Sequence, residues 1–209
     1  TCALPIFTVE ARPRVVGRWL FYNNSRFDGN NAGLGAADDG AIASNKTALR
    51  PGGGRSTLAN VSSYSRGING VMVDMVGLAG TPTAADFGFR VGRGADLTAW
   101  TAGPAPFEVM VRAGAGAGGS DRVTLRWLDS TVRNQWLEVT VKAGGQTGLA
   151  AGDVFYFGSV VGEIVDSGAL MVNSSDVLSA RAAARFGLVP VTTAQDVNRD
   201  GLEIGRAHV

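Results

Sequence analysis

Histidine is nearly absent: His208, in the C-terminal tail, is the only one in the chain. Without another imidazole there is no Ser-His-Asp triad, no Cys-His pair and no histidine set to ligate zinc. Cysteine is equally scarce, with Cys2 alone, so an internal disulfide framework is excluded and either redox compartment fits. Charged residues make up 18% of the chain and balance to a formal net charge of +1. No strong field results, and neither nucleic acid nor an anionic membrane is an expected partner. No apolar run reaches the roughly 20 residues of a membrane span. The opening "TCALPIFTVEARPRVVG" has no initiator Met and neither the charged nor the apolar region of a leader, so it is expected to lie inside a longer polypeptide. Any chemistry is left to carboxylates, Lys, Tyr or hard cations bound through oxygen.

What is plentiful is glycine, 30 residues, in a chain of 209 that is 45% apolar. That length supports one good core, or a domain with a small appendage. Period-two alternation dominates. Phe107, Val109 and Val111 share a face; Val123, Leu125 and Trp127 alternate with Arg122, Thr124 and Arg126; Leu137, Val139 and Val141 alternate with Trp136, Glu138 and Thr140. The last two segments flank "DSTVRN" and predict a hairpin with one wet face. Further strands are expected over 5–10, 15–22, 68–76 and 85–91, and "RAGAGAGGSD" reads as a loop. "AADDGAIASNKTALRPGGG" predicts one short helix closed by Pro51. The expected fold is mainly β, an antiparallel β-sandwich of jelly-roll type over residues 1–150, followed by a small helical tail.

The boundary is placed near 148–153, "GLAAGD". Beyond it, "SSDVLSARAAARFG" predicts a helix with Ser174 or Ser175 as N-cap and Asp176 in its first turn; Val177, Leu178 and Ala182 fall at helical spacing, and Gly187 closes it. The segment "DVNRDGL" then sets Asp196, Asn198 and Asp200 at alternate positions with Gly201 next. That is the first half of an EF-hand loop, whose roughly 12 residues put oxygens at positions 1, 3 and 5 before a Gly at 6. The carbonyl of Leu202 would stand at position 7.

With "VNSSDVLSAR", this segment resembles a type I dockerin, the calcium-binding tail of cellulosome components and other large secreted bacterial proteins. Val172, Asn173, Asp176 and Arg181 match the second half of its first repeat; Asp196, Asn198, Asp200 and Gly201 match the first half of its second. The resemblance covers residues 153–202. It implies Ca²⁺ as cofactor, with Asp196, Asn198, Asp200, Leu202 and Asp176 as metal ligands, a cohesin-type or other protein docking partner, and a secreted, extracellular setting. The first repeat departs from the pattern. Counted back from Asp176 at position 12, positions 1 and 5 fall on Val165 and Ala169, so Glu163 and Asp166 ligate only in a longer loop. Residues 203–209, "EIGRAHV", read as a translated sequencing adapter, a non-native artefact. Segments such as "FYNNSRFDGNNAGLGAADDG" resemble an uncharacterised module that precedes dockerin-like tails, a likeness that implies company and location but no chemistry.

Other stretches have two readings. "FDGNNAGLGAADDG" offers Asp28, Asn30, Asp38 and Asp39 for a second calcium; the same residues are ordinary turn formers and N-cap acids, which is the preferred reading. Trp136, on a polar strand face, is a candidate ligand-binding residue for stacking on a glycan, with cross-strand packing as the plainer alternative. Glu108 and Glu138 are the carboxylates a glycosidase would pair, although strand-face solvation explains them as well. The sequence thus predicts a non-catalytic secreted module with a calcium-dependent docking tail; the alternative is the accessory, glycan-binding region of a carbohydrate-active enzyme.

Overall fold

A computed structural model describes residues 12–166, 170–183 and 187–202. The expected strand over 5–10, residues 203–209 and Ala169 lie outside the described residues. Among the described residues, nine strands and one α-helix are formed: β1 (Arg14–Leu20), β2 (Val61–Ser62), β3 (Gly70–Val76), β4 (Phe87–Gly92), β5 (Thr101–Ala102), β6 (Glu108–Arg112), β7 (Asp121–Arg126), β8 (Trp136–Val141), β9 (Asp153–Ser159) and α1 (Ser174–Ala182). They make a four-stranded sheet in the order β1-β3-β7-β6 and a five-stranded sheet in the order β2-β9-β8-β4-β5.

The protein is mainly β, and its two sheets enclose one apolar cluster, as expected of a sandwich. Val123, Leu125, Leu137 and Val139 are buried in that cluster, with Val109 and Val111 packed against it. Phe89 of β4 meets Trp127, just after β7, edge to face at 5.4 Å, which joins the two layers. Burial of each such large side chain contributes about 1.5–3 kcal/mol relative to exposure.

Several expectations change. Strands β7 and β8 do not form a hairpin: β7 pairs with β3 and β6, and β8 with β4 and β9, in different sheets. Alternation is equally compatible with a hairpin and with an arch between layers. The arch wins because Val132, in the middle of the connection, is fully buried and bridges to Ile68. Pairing is not wholly antiparallel, since β2 runs parallel to β9. Strand β9 completes the five-stranded sheet, so the sheet extends past the boundary expected at 148–153. Phe107 is 65% exposed, stacked under the Arg126 guanidinium rather than sharing the core with Val109. The expected short helix is a 3-10 turn, Ala36–Ala41, that ends well before Pro51. Its chain turns extended at Ile42 because the Ala43 amide bonds the Leu20 carbonyl.

The outer face of the four-stranded sheet is not wet. The chain after β1 folds back over it, so Phe21 lies on Gly70, where a methyl group would meet the ring at 2.3 Å. Next to it Asp74, fully buried on β3, accepts from Trp19 Nε1 (2.7 Å), Arg122 Nε (2.7 Å), Arg122 Nη2 (2.8 Å) and the Ala117 amide (3.0 Å). Arg122 also reaches Asp39, which Arg112 grips with both terminal nitrogens. This network clamps the loop that carries Asp28 and Asp38.

Candidate functional site

The tail is built around the 196–202 turn. Asp196 is fully buried, and its carboxylate accepts from the amides of Asp200 (3.1 Å) and Gly201 (3.0 Å). Gly201 takes φ 81°, the left-handed conformation that a sharp turn needs at this position. Asn198 Nδ2 donates to Asp200 Oδ2 at 2.7 Å, and Asp200 Oδ1 accepts from the Leu202 amide at 2.8 Å. The structure therefore brings Asp196, Asn198 and Asp200 together as an all-oxygen turn, each side chain tied to its neighbours. Burial raises the Asp196 carboxyl above the usual carboxylate range, while the Gly201 amide and Arg199 pull the other way.

Arg199 is the residue that sequence reasoning overlooked. Its φ of 55° turns the side chain out of the loop and into the sandwich, where it is 1% exposed. There it donates to Tyr22 Oη (3.1 Å), Ser63 Oγ (3.0 Å) and the Thr193 carbonyl, with its guanidinium 4.2 Å from the Tyr22 ring centroid. Backbone bonds reinforce the dock: Ser65 N to Val197 O at 2.8 Å and Arg26 N to Arg199 O at 3.0 Å. The tail loop is thus fastened to the sandwich by a buried cation. A lone Arg inside an acidic turn was the signal, but two of its partners, Tyr22 and Ser63, lie more than a hundred residues away in sequence.

Asp176 sits in a separate turn. Its carboxylate accepts from Ile164 (2.8 Å), Val165 (3.0 Å) and Asn173 (2.8 Å), closing the capping box of α1. The N-cap is Asn173, not Ser174 or Ser175: the Asn173 Oδ1 takes the Ser175 amide at 2.8 Å. Burial acts to raise the Asp176 carboxyl, but the amides of Ile164, Asn173 and Val165 outweigh it and hold it below its ordinary value. Val177 and Leu178 of α1 are 47% and 63% exposed rather than packed inward.

On the other sheet, Trp136 is half-buried on the outer face of β8, opposite Gly158 of β9. A methyl group on Gly158 would sit 3.2 Å from the indole, so Trp136 packs across the neighbouring strand. Trp100 and Tyr156 meet edge to face nearby at 5.8 Å and are both buried. Glu138 shares this face and pairs with Arg90 at 3.4 Å; Glu108 lies on the outer face of the other sheet and pairs with Arg126 at 2.8 Å. The two carboxylates therefore stand on opposite sides of the molecule and are not brought together.

Among the described residues, no group of three or more His, Cys, Asp and Glu side chains is placed to hold a metal ion. The Asp196 turn has two carboxylates and an amide and so falls outside that description. No helix among the described residues is long and apolar enough to cross a membrane. Compared with models of protein families, with curated proteins and with solved structures, the chain matches none.

Proposed function

We propose that the chain is a non-catalytic β-sandwich module, of jelly-roll type, with a dockerin-like tail that binds Ca²⁺ and docks a protein partner of cohesin type. It would form part of a larger secreted protein. The observation that carries this reading is the Asp196 turn, whose residue spacing, Asp196-capped amides and left-handed Gly201 are those expected of the first half of an EF-hand loop. Asp196, Asn198 and Asp200 would hold the ion through side-chain oxygens and Leu202 through its carbonyl, all hard donors suited to calcium. Asp176, which the dockerin resemblance would make a ligand of the first repeat, accepts three backbone amides in its own turn.

Two further observations support the reading. The tail exposes Met171, Val172, Val177, Leu178, Leu188 and Leu202, each at 45% or more, apolar side chains that a docking partner would cover. Glu108 and Glu138, the two carboxylates that a glycosidase site was expected to pair, are separated, and each is ion-paired with an Arg of its own sheet. The alternative, a glycan-binding accessory region, rests on Trp136, whose packing on Gly158 accounts for its position without a sugar.

Isothermal calorimetry with CaCl₂ on the intact chain and on Asp196→Ala tests the proposal. A heat of binding that disappears in the variant is the expected result. Titrations that coincide would reduce the motif to a turn.

A further inference from the structure

The loop between β1 and β2 begins with two short 3-10 turns, Arg26–Asp28 and Ala36–Ala41. Each buries an aspartate: Asp28 is 3% exposed and Asp38 1%. Asp28 accepts from the amides of Asn24 (2.5 Å), Ser25 (2.9 Å) and Asn31 (3.3 Å). Asp38 uses only one oxygen, Oδ2, for the Gly35 amide at 2.9 Å; its Oδ1 is buried and has no hydrogen-bond partner. Asn23, at 2% exposure, provides a second and independent anomaly. Its Nδ2 donates to the Ala32 carbonyl at 3.2 Å, on the segment that joins the two turns, and its Oδ1 is likewise buried without a partner. That donation fixes the amide orientation, because a flipped amide would set oxygen against oxygen.

The neighbouring cation is already committed. Arg112 is the guanidinium that Asp38 feels, and it is held in a two-pronged grip by Asp39. Burial pushes both Asp28 and Asp38 above the usual carboxylate range, and Asp28 pushes Asp38 further. A buried acceptor left unmet destabilises the fold, and a buried like-charge pair adds to that cost. Two of these acceptors, Asp38 Oδ1 and Asn23 Oδ1, lack donors, and a hard cation satisfies such oxygens.

We infer that this loop is a second calcium site, with Asp38 Oδ1, the Asp28 carboxylate and Asn23 Oδ1 as its protein ligands. The donors are all oxygen and carry two negative charges, matching a hard divalent ion; with no His or Cys among them, the set does not suit zinc. Calcium fits better than magnesium because the ligands come from an irregular loop, and Ca²⁺ accepts 6–8 oxygens in flexible geometry, with water completing the shell. The ligand set differs from the four residues that the sequence brings to notice. Asn30 is exposed in a left-handed turn, Asp39 belongs to Arg112 and Arg122, and Asn23 takes their place.

The site is independent of the tail loop, and the test separates them. The full chain is melted in EDTA and in CaCl₂, and Tb³⁺ luminescence is excited through tyrosine. Tyr64 is suitably placed, with its hydroxyl 3.1 Å from the Asn23 carbonyl and 3.2 Å from that of Asn24. Calcium is expected to raise the melting temperature and to displace Tb³⁺, and both responses should persist in Asp196→Ala. Asp38→Asn should weaken calcium binding at this site by at least about tenfold. In EDTA the same variant should melt no lower than the parent, since it removes a buried charge and keeps the shape. Asn23→Ala, which spares both carboxylates, is the second variant and should also weaken binding. Three results would overturn the inference. An Asp38→Asn protein that melts lower in both buffers while its calcium affinity is unchanged would make Asp38 a cap only. Responses that survive Asp38→Asn and vanish in Asp196→Ala would place the ion in the tail. No response to calcium in the parent chain would mean that a proton or a water satisfies the two unpartnered oxygens.

Discussion

Asp74→Asn tests the buried network that clamps the candidate calcium loop to the sheet. Asp74 is fully buried and accepts four hydrogen bonds, two of them from Arg122, whose side chain is 8% exposed. The amide would keep the shape but remove the charge, and its Nδ2 would face donors from Arg122, Trp19 or Ala117. Removing one partner of such a buried pair costs about 3–5 kcal/mol, because the guanidinium stays buried with only the Asp39 contact, itself shared with Arg112, left to balance it. For a chain of this size each kcal/mol moves the midpoint by about 2–4 °C, so the expected fall is on the order of 10 °C. Calorimetric melts at pH 7 provide the measurement. The double variant Asp74→Asn/Arg122→Met should recover much of the loss, since it replaces a buried charge that has lost its main partner with an apolar side chain, and Arg112 still pairs with Asp39. The acid limb offers a second readout. Burial acts to raise the Asp74 carboxyl, but Arg122, the Ala117 amide and Trp19 outweigh it and hold it below its ordinary value. Its contribution is therefore complete above the unfolded value near 4 and is lost as the pH falls below about 4, so the variant should show a shallower acid decline. A midpoint shift under about 3 °C would refute the reasoning, by showing that water reaches Arg122.

Arg199→Met should detach the tail loop while leaving the sandwich folded. Hydrogen exchange should quicken at the amides of Ser65 and Arg26, which bond Val197 and Arg199 carbonyls, and unchanged protection there would refute the anchor. Lys46 is 7% exposed and bonded to the Leu58 carbonyl, and burial, with Arg199 adding, pushes its ammonium down to about 8. The unfolded chain keeps that proton to about pH 10.4, so between these values the unfolded state binds more protons and stability rises with pH. Denaturant melts from pH 8 to about 9.5, below the tyrosine range, should show that rise in the parent chain and not in Lys46→Met; parallel profiles would count against it.

Strand alternation is a local property, and it was readable at Val123, Leu125, Leu137 and Val139 because a period of two reports a face wherever the strand is later placed. The Asp196 turn was readable for a similar reason: Asx side chains and Gly201 set its shape within a few residues. The tertiary structure alone decided how the strands are shared between sheets. The pattern of β7 and β8 is the same for a hairpin as for an arch, and only the buried Val132 between them selects the arch. It also decided which polar residues are inside. Asp74 within "VMVDMV" and Arg199 within "VNRDG" stand in sequence as ordinary charges, yet their partners, Arg122 and Tyr22, come from distant strands and loops. Asn23, Asp28 and Asp38 are separated by turns whose packing sets whether their oxygens face water or one another. Burial is a relation between distant segments, and a charge acquires its cost or its function only when a covering surface arrives.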